Sequence, residues 1–470
     1  MKGGAATRQG LQKLGGRPAI HDLNGNHISG DALLEAVDRL AGALIGKGLS
    51  GSKIGLWYKN SFAAVQAFLA VEWVAGTRVT VDPRAPVSEA EAVFRLAGVQ
   101  AVLTDRDFEL GTLPVLKHTD ASPIEGTPLF PDLDVDPAKP FVVYPRAIER
   151  NKLFAVSFSY GNWTAIMDTN IGLYRSGRYG PWQEESECFL ANQQIMHGTG
   201  FVGTFPFLRM GLPQVLVDTF DENRILDAIA RHKVTGTLFV PLMLARVAAA
   251  AASRKQDVSS LRHVLYGGGK TKRDDIVRAC NDLSPFLTQI YGRLEGGWPV
   301  SILDSDDHRQ IVQGKSNIAE SCGRPIDGAE MKLRPLSTDD SASGELCVRG
   351  PMTVAEYTDP DGWCASGDIM SVDGEGYLFY QGRVDRMINN GFHVYPEEIE
   401  RAIGTVDGID RARVYGKPDP SYGEIVVADL VLGKDFEQDE VLSRIRGSLE
   451  TILAKYKVPR VFNFVDSIET

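Results

Sequence analysis

The sequence predicts an α/β protein that ends in a small α+β module. Strands and amphipathic helices alternate through the first two thirds, and short strands with Gly-rich turns take over from about residue 320. The texture changes again after Gly382-Arg383-Val384-Asp385. Alternation of this kind implies a largely parallel sheet with helices on its faces. At roughly 150 residues per domain, the 470 residues correspond to about three units.

The elements follow in order. Asp31 to Leu49 carries Leu33, Leu34, Val37, Leu40, Ala41 and Leu44 at helical spacing. Strand Ile54–Trp57, helix Ser61–Gly76, strand Arg78–Val81, helix Glu89–Ala97 and strand Ala101–Thr104 come next. Residues 105–140 are richer in Pro and Asp and read as a surface connection. Strand Phe141–Tyr144 resumes the pattern, followed by helices Asn162–Tyr174 and Glu222–His232, strands Gly236–Pro241 and Arg262–Tyr266, helix Arg273–Leu283 and strand Leu287–Tyr291. In the last module, helix Pro396–Ile403, strands Arg411–Gly416 and Glu424–Leu432, and helix Asp439–Ala454 are expected. The domain division expected is 1–384, with a β-rich part from about 320, and a mobile 385–470.

Composition narrows the function. The chain is 43% hydrophobic and 24% charged, as in a folded soluble protein. A net charge of −11 argues against sequence-independent nucleic-acid binding, which neutralises phosphates. The N-terminus lacks a signal-like apolar run, and the stretch Val247 to Ala252 is far too short to span a membrane. Cys188, Cys280, Cys322, Cys347 and Cys364 form no CxxC pair, so no metal site is expected. A reduced, cytoplasmic setting follows.

The motifs carry the chemistry. Tyr266-Gly267-Gly268-Gly269-Lys270-Thr271 fails as a phosphate loop, because position 264 is Val where that motif needs Gly. It reads as a strand-to-helix turn or as a close approach of backbone to ligand. Tyr291-Gly292-Arg293-Leu294-Glu295 offers a ring for stacking, a glycine and a carboxylate. Asp368, after the turn at Gly362, can accept both hydroxyls of a ribose or close an Asx turn. Arg383 suits a ribose or phosphate. Pro396, Glu397 and Glu398 are what a helix N-terminus prefers, and capping is their expected role. His197 precedes an apolar helix, where a lone His is commonly a packed core residue. No GxSxG elbow supports a hydrolase triad.

In this order, Tyr-Gly-x-x-Glu, Gly-Trp-x-x-x-Gly-Asp, Gly-Arg-x-Asp and Gly-x-x-Val-x-Pro-x-Glu-Ile-Glu resemble the acyl-adenylate-forming superfamily. The resemblance runs from the Val37–Ala41 helix to Tyr456-Lys457-Val458-Pro459-Arg460, with aryl-CoA ligases the nearest flavour. It implies that Tyr291 stacks near adenine beside Gly292, Glu295 faces Mg²⁺, and Asp368 with Arg383 holds the ribose. Asp385 would be the hinge of the C-terminal domain. Gly391, Phe392 and His393 would line a pantetheine tunnel. His197, Phe201, Gly267, Gly268, Gly269 and Leu294 would border the acyl pocket, and Trp298 adds to its flat, apolar character.

Two departures stand out. The family's Thr/Ser/Gly phosphate loop should follow strand Phe141–Tyr144, but Pro145-Arg146-Ala147-Ile148-Glu149-Arg150-Asn151-Lys152-Leu153 contains no Gly, Ser or Thr. Without Gly the backbone does not readily form the nest of N–H groups that cradles phosphates, and Lys152 is at best a remnant of the loop's lysine. The chain also stops at Thr470, before the lysine that the family uses in adenylation. Both losses strike the ATP half-reaction.

The expectation is therefore an acyltransferase that takes an aryl or acyl group from a coenzyme A thioester and passes it to the pantetheine thiol of an acyl carrier protein. It would resemble the transferases that prime aurachin-type synthesis with anthranilate. His197 and His393 are the candidate acid/base groups. Use of AMP is left open by the sequence. An ATP- and Mg²⁺-dependent aryl-CoA ligase and a non-catalytic thioester- or carrier-binding protein are the alternatives.

Overall fold

A computed structural model describes residues 2–149, 152–335, 343–384, 388–394, 396–434 and 436–468; at 149, 201, 202, 316, 382, 389, 393 and 397 it describes the main chain alone. The chain divides into two compact units. The larger holds Met1–Thr80, Val99–Tyr144 and Val156–Gly382, and the smaller gathers Val81–Gly98, Pro145–Ala155 and Arg383–Thr470.

In the large unit, six strands run parallel in the order Leu287–Arg293, His263–Gly267, Gly236–Phe239, Phe189–Ala191, Gln214–Leu216 and Pro18–Asp22. Antiparallel strands Gly297–Leu303 and His27–Ser29 pair onto the two ends of that parallel run. Strand burial on both faces explains the unbroken apolar runs read from the sequence. A second sheet has the order Val115–Lys117, Ala101–Thr104, Lys53–Trp57, Thr77–Thr80, Pro140–Glu149 and Lys152–Ser159. The β-rich part expected from about 320 is an antiparallel sheet of Glu330–Arg334, Ser343–Arg349, Cys364–Val372 and Leu378–Arg383.

Local chemistry sets the helix starts. Ser29 accepts from the Ala32 N–H, so the first long helix runs Gly30–Gly46. Ser61 does the same for Phe62–Trp73, a helix buried on every side. Helix Ala5–Leu14 was not expected, because its sequence is largely polar. It packs through Leu11 and Leu14 and through Gly10, where a Cβ would lie 2.1 Å from the Leu208 carbonyl oxygen, so close backbone approach supplements a thin apolar stripe.

The small unit centres on strands Ile409–Asp419, Gly423–Leu432 and Val461–Phe464, with helices Pro396–Ile403 and Gln438–Ile452. Val414, Val426, Ala428 and Leu430 pack against Ile399, Ile403, Ile445 and Leu449 in its core. Among the described residues, no helix is long and apolar enough to cross a membrane.

Candidate active site

One strand of the large sheet, the turn that follows it and one strand of the β-rich sheet build the main constellation. Tyr291 and Arg293 lie on Leu287–Arg293, Glu295 follows in the turn to Gly297–Leu303, and Asp368 sits on Cys364–Val372. The Tyr291 hydroxyl donates to Asp368 Oδ2 at 2.6 Å, and Arg293 Nη1 donates to Asp368 Oδ1 at 3.3 Å. Arg293 Nε lies 3.8 Å from Glu295 Oε2. Asp368 is 4% exposed, and burial with the nearby Asp368 charge pushes the Tyr291 phenol well above its ordinary range. The Asp368 N–H donates to Ser366 Oγ at 3.1 Å, which fixes the carboxylate's root.

A carboxylate has about four lone-pair sites. Tyr291 and Arg293 each occupy one, on opposite oxygens, and hold the Asp368 carboxylate still. That suits recognition of a vicinal diol. Arg293 is the residue that sequence reasoning passed over, because it falls at an unspecified position of Tyr-Gly-x-x-Glu.

The other candidates distribute as follows. His197 stands at the N-cap position of helix Gly198–Met210 without a side-chain capping bond, its main-chain N–H donating to the Gln194 carbonyl at 2.9 Å. Gly267 is the last residue of strand His263–Gly267, paired with Ile290, and a Cβ there would meet the Ile290 carbonyl oxygen at 2.3 Å. Its glycine is thus required by strand packing. Gly268 and Gly269 are exposed beyond it, at the carboxyl end of a parallel strand, where ligands of open α/β sheets bind. Leu294 packs against the main core, as does Trp298. Gly292 lies between Tyr291 and Arg293 on the same strand. Arg383, Gly391 and Phe392 belong to the small unit. Asp385 and the side chains of Phe201 and His393 lie outside the described residues.

The segment expected to hold the phosphate loop is extended. Residues Pro145 to Glu149 continue the strand Pro140–Glu149, and Lys152 opens its neighbour Lys152–Ser159. Lys152 is exposed, its ammonium 5.3 Å from the Phe154 ring. Strand backbone sends successive N–H groups to opposite edges and into the ladder, so it offers no convergent set for phosphates.

Glu398 stands in the first turn of helix Pro396–Ile403 as expected, and it also makes a buried ion pair that the sequence did not show. Glu398 is 9% exposed, and its Oε1 receives Lys457 Nζ at 2.9 Å, while the same ammonium reaches Glu89 Oε1 at 2.8 Å. Burial pushes the Glu398 carboxyl up. Burial alone would lower Lys457, but Glu398, Tyr456 and Glu89 outweigh it and hold that ammonium well above its ordinary range. The network was missed because Glu89 lies 368 positions from Lys457.

Comparison with known proteins agrees with this layout. The AMP-binding enzyme family matches residues 7–144 and 155–358, and the AMP-binding enzyme C-terminal domain matches 398–470. The break at 145–154 falls on the extended segment. A feruloyl-CoA synthase of an Amycolatopsis species is 32% identical over 283 residues, which cover 56% of this chain and 55% of that protein. The chain thus spans about half the length of the first such relatives. A 3-[(3aS,4S,7aS)-7a-methyl-1,5-dioxo-octahydro-1H-inden-4-yl]propanoyl:CoA ligase of Mycobacterium tuberculosis is 26% identical over 92% of this chain and 89% of its own. Among solved structures, an amide bond synthetase from Marinactinospora thermotolerans superimposes with a TM-score of 0.84 at 25% identity, covering 99% and 96% of the two chains. The chain belongs to the AMP-binding enzyme family, within the acyl-adenylate-forming superfamily.

Proposed function

We propose that this chain is an acyltransferase on a CoA-ligase scaffold, moving an aryl or acyl group from a coenzyme A thioester to the pantetheine thiol of an acyl carrier protein without ATP. The observation that carries this reading is the extended backbone of Pro145 to Glu149 where the family keeps its phosphate loop. Among the described residues of that segment, a triphosphate has no nest of N–H groups to enter. Glu295, which the resemblance would give to Mg²⁺, faces the Arg293 guanidinium at 3.8 Å, so a divalent cation would compete with a resident charge.

The reaction needs no further driving force, since one thioester replaces another. The acceptor thiol loses its proton, its sulfur attacks the thioester carbonyl, and the coenzyme A sulfur leaves and takes a proton. A free thiol ionises near pH 8.5, so a base helps at neutral pH. His197 and His393 are the candidates. The Tyr291–Arg293–Asp368 group would hold an adenosine ribose, with Arg383 assisting. Gly268, Gly269, Leu294 and Phe201 would border the acyl group, and Gly391 and Phe392 the pantetheine arm. Asp385 would serve as hinge between a body of residues 1–384 and a module of 385–470. Holding both thiols in turn supplies most of the acceleration.

An ATP-dependent acyl- or aryl-CoA ligase is the second reading, favoured by the retained Tyr291–Asp368 pair and by the ligases among the relatives. An aryl-CoA panel with holo carrier protein, followed by mass spectrometry without ATP, separates the two. Acylated carrier protein is the expected product. Carboxylate-dependent ATP–pyrophosphate exchange clearly above background would overturn the transferase. If neither reaction occurs, the chain binds without catalysing.

A further inference from the structure

The small unit contains a stack in which Phe392 rests on two residues, Tyr456 and Arg84, that no step above uses. Strands Ile388–Asn389 and His393–Val394 pair antiparallel, so Asn390, Gly391 and Phe392 form the tip between them. That tip is held from three directions. The Phe392 ring lies on Tyr456, with centroids 4.4 Å apart and planes at 31°. Arg84 covers both rings, its Cζ 4.5 Å from the Phe392 centroid and 5.1 Å from that of Tyr456. Asn390 Nδ2 donates to the Tyr456 carbonyl at 2.9 Å, and its Oδ1 accepts the Phe392 N–H at 3.2 Å.

The supports are themselves anchored. Arg84 donates twice to Asp82, at 2.6 and 2.9 Å, so the guanidinium plane is fixed before it meets the rings. The next residue after Tyr456 is Lys457, locked between Glu89 and Glu398. Glu398 in turn belongs to helix Pro396–Ile403, which follows the tip. Tyr456 thus sits on a backbone pinned by ion pairs and presents its ring to a glycine-containing tip. Gly391, at φ 89°, is exposed.

We propose that Tyr456 and Arg84 are positioning residues for the Asn390–Phe392 tip, keeping it in the one shape that receives the acceptor thiol. The thiol role rests on the proposed transfer reaction; the clamp itself rests on the stack. Aromatic pairing and cation–π contact each favour the docked tip severalfold, and together by about tenfold.

Hydrogen exchange of the intact chain tests the clamp without any assay of activity. Tyr456→Ala is expected to speed amide exchange across 388–394 by about tenfold, while strands Ile409–Asp419 and Gly423–Leu432 change less than twofold. Tyr456→Phe keeps the ring and is expected to stay within twofold of wild type. Unchanged exchange at 388–394 in Tyr456→Ala overturns the proposal, as does an equal rise over the whole unit. Should that variant fail to fold, Arg84→Met carries the test, with a rise of about threefold expected and none overturning it. Where transfer is measurable, Tyr456→Ala should raise KM for the acceptor thiol about tenfold and leave KM for the acyl donor within twofold, and Tyr456→Phe should restore it. An equal rise in both KM values overturns the positioning role. A wild-type chain with no transfer defeats the proposed function but leaves the exchange result standing.

Discussion

Two buried clusters in this molecule share one charge plan. In the large unit, Arg293 stands between Asp368 and Glu295; in the small unit, Lys457 stands between Glu89 and Glu398. Each is one cation against two carboxylates, yet they are built for different ends. Arginine presents a planar fork that orients Asp368, and Tyr291 completes the aim. Lysine is a compact point charge that both carboxylates close upon, 5% exposed in all. Under the proposed function the first arrangement faces a ligand; the second joins chain segments. Charge count alone does not tell a binding cluster from a structural one; donor geometry does.

The contrast is most easily broken at Lys457. Lys457→Met would leave Glu89 and Glu398 facing each other in a buried site, and a loss of about 3–5 kcal/mol is expected in denaturant melts. The loss should depend on pH. A carboxyl already raised by burial, as Glu398 is, binds its proton more tightly folded than unfolded. The variant should therefore recover below the ordinary carboxyl value of about 4.3 and weaken as pH rises above it. Asp368→Ala should cost about 3 kcal/mol of stability and, with the ribose acceptor gone, weaken AMP binding in calorimetry at least tenfold by an order-of-magnitude reckoning. AMP bound equally well by that variant would remove Asp368 from the site.

Tyr291→Phe deletes one donor to a charged acceptor, so roughly 1.5–2 kcal/mol of stability should go in thermal or chemical melts. Glu398→Gln is the mildest change. The amide oxygen still accepts from Lys457 and Glu89 still balances the charge, so about 1 kcal/mol or less is expected. A loss as large as that of Lys457→Met would show that both carboxylates are needed.

Much of this was legible in the sequence. Helix Glu222–His232, helix Pro396–Ile403 and strand Ala101–Thr104 fall where periodicity and caps put them. The ordered motifs led to the family, and Asp368 and Tyr291 do meet. What escaped depends on contacts distant in sequence. Helix Ala5–Leu14 buries only Leu11 and Leu14 beside Thr7 and Gly10, a stripe too thin to read, and Gly10 lets it approach another helix through backbone. Arg293 sat in an unspecified motif position. Glu398 carries a helix-start signal and a buried ion pair at once, and only the first is local enough to read.

The extended run at Pro145 to Glu149 has one last consequence, at the scale of the cell. An ordinary ligase of this family draws on ATP, so its flux follows the adenylate pool and its pyrophosphate by-product must be cleared. Under the proposed reaction the chain responds to neither. Its rate would follow the ratio of acylated to free coenzyme A and the supply of unloaded carrier, making it a gauge of thioester abundance.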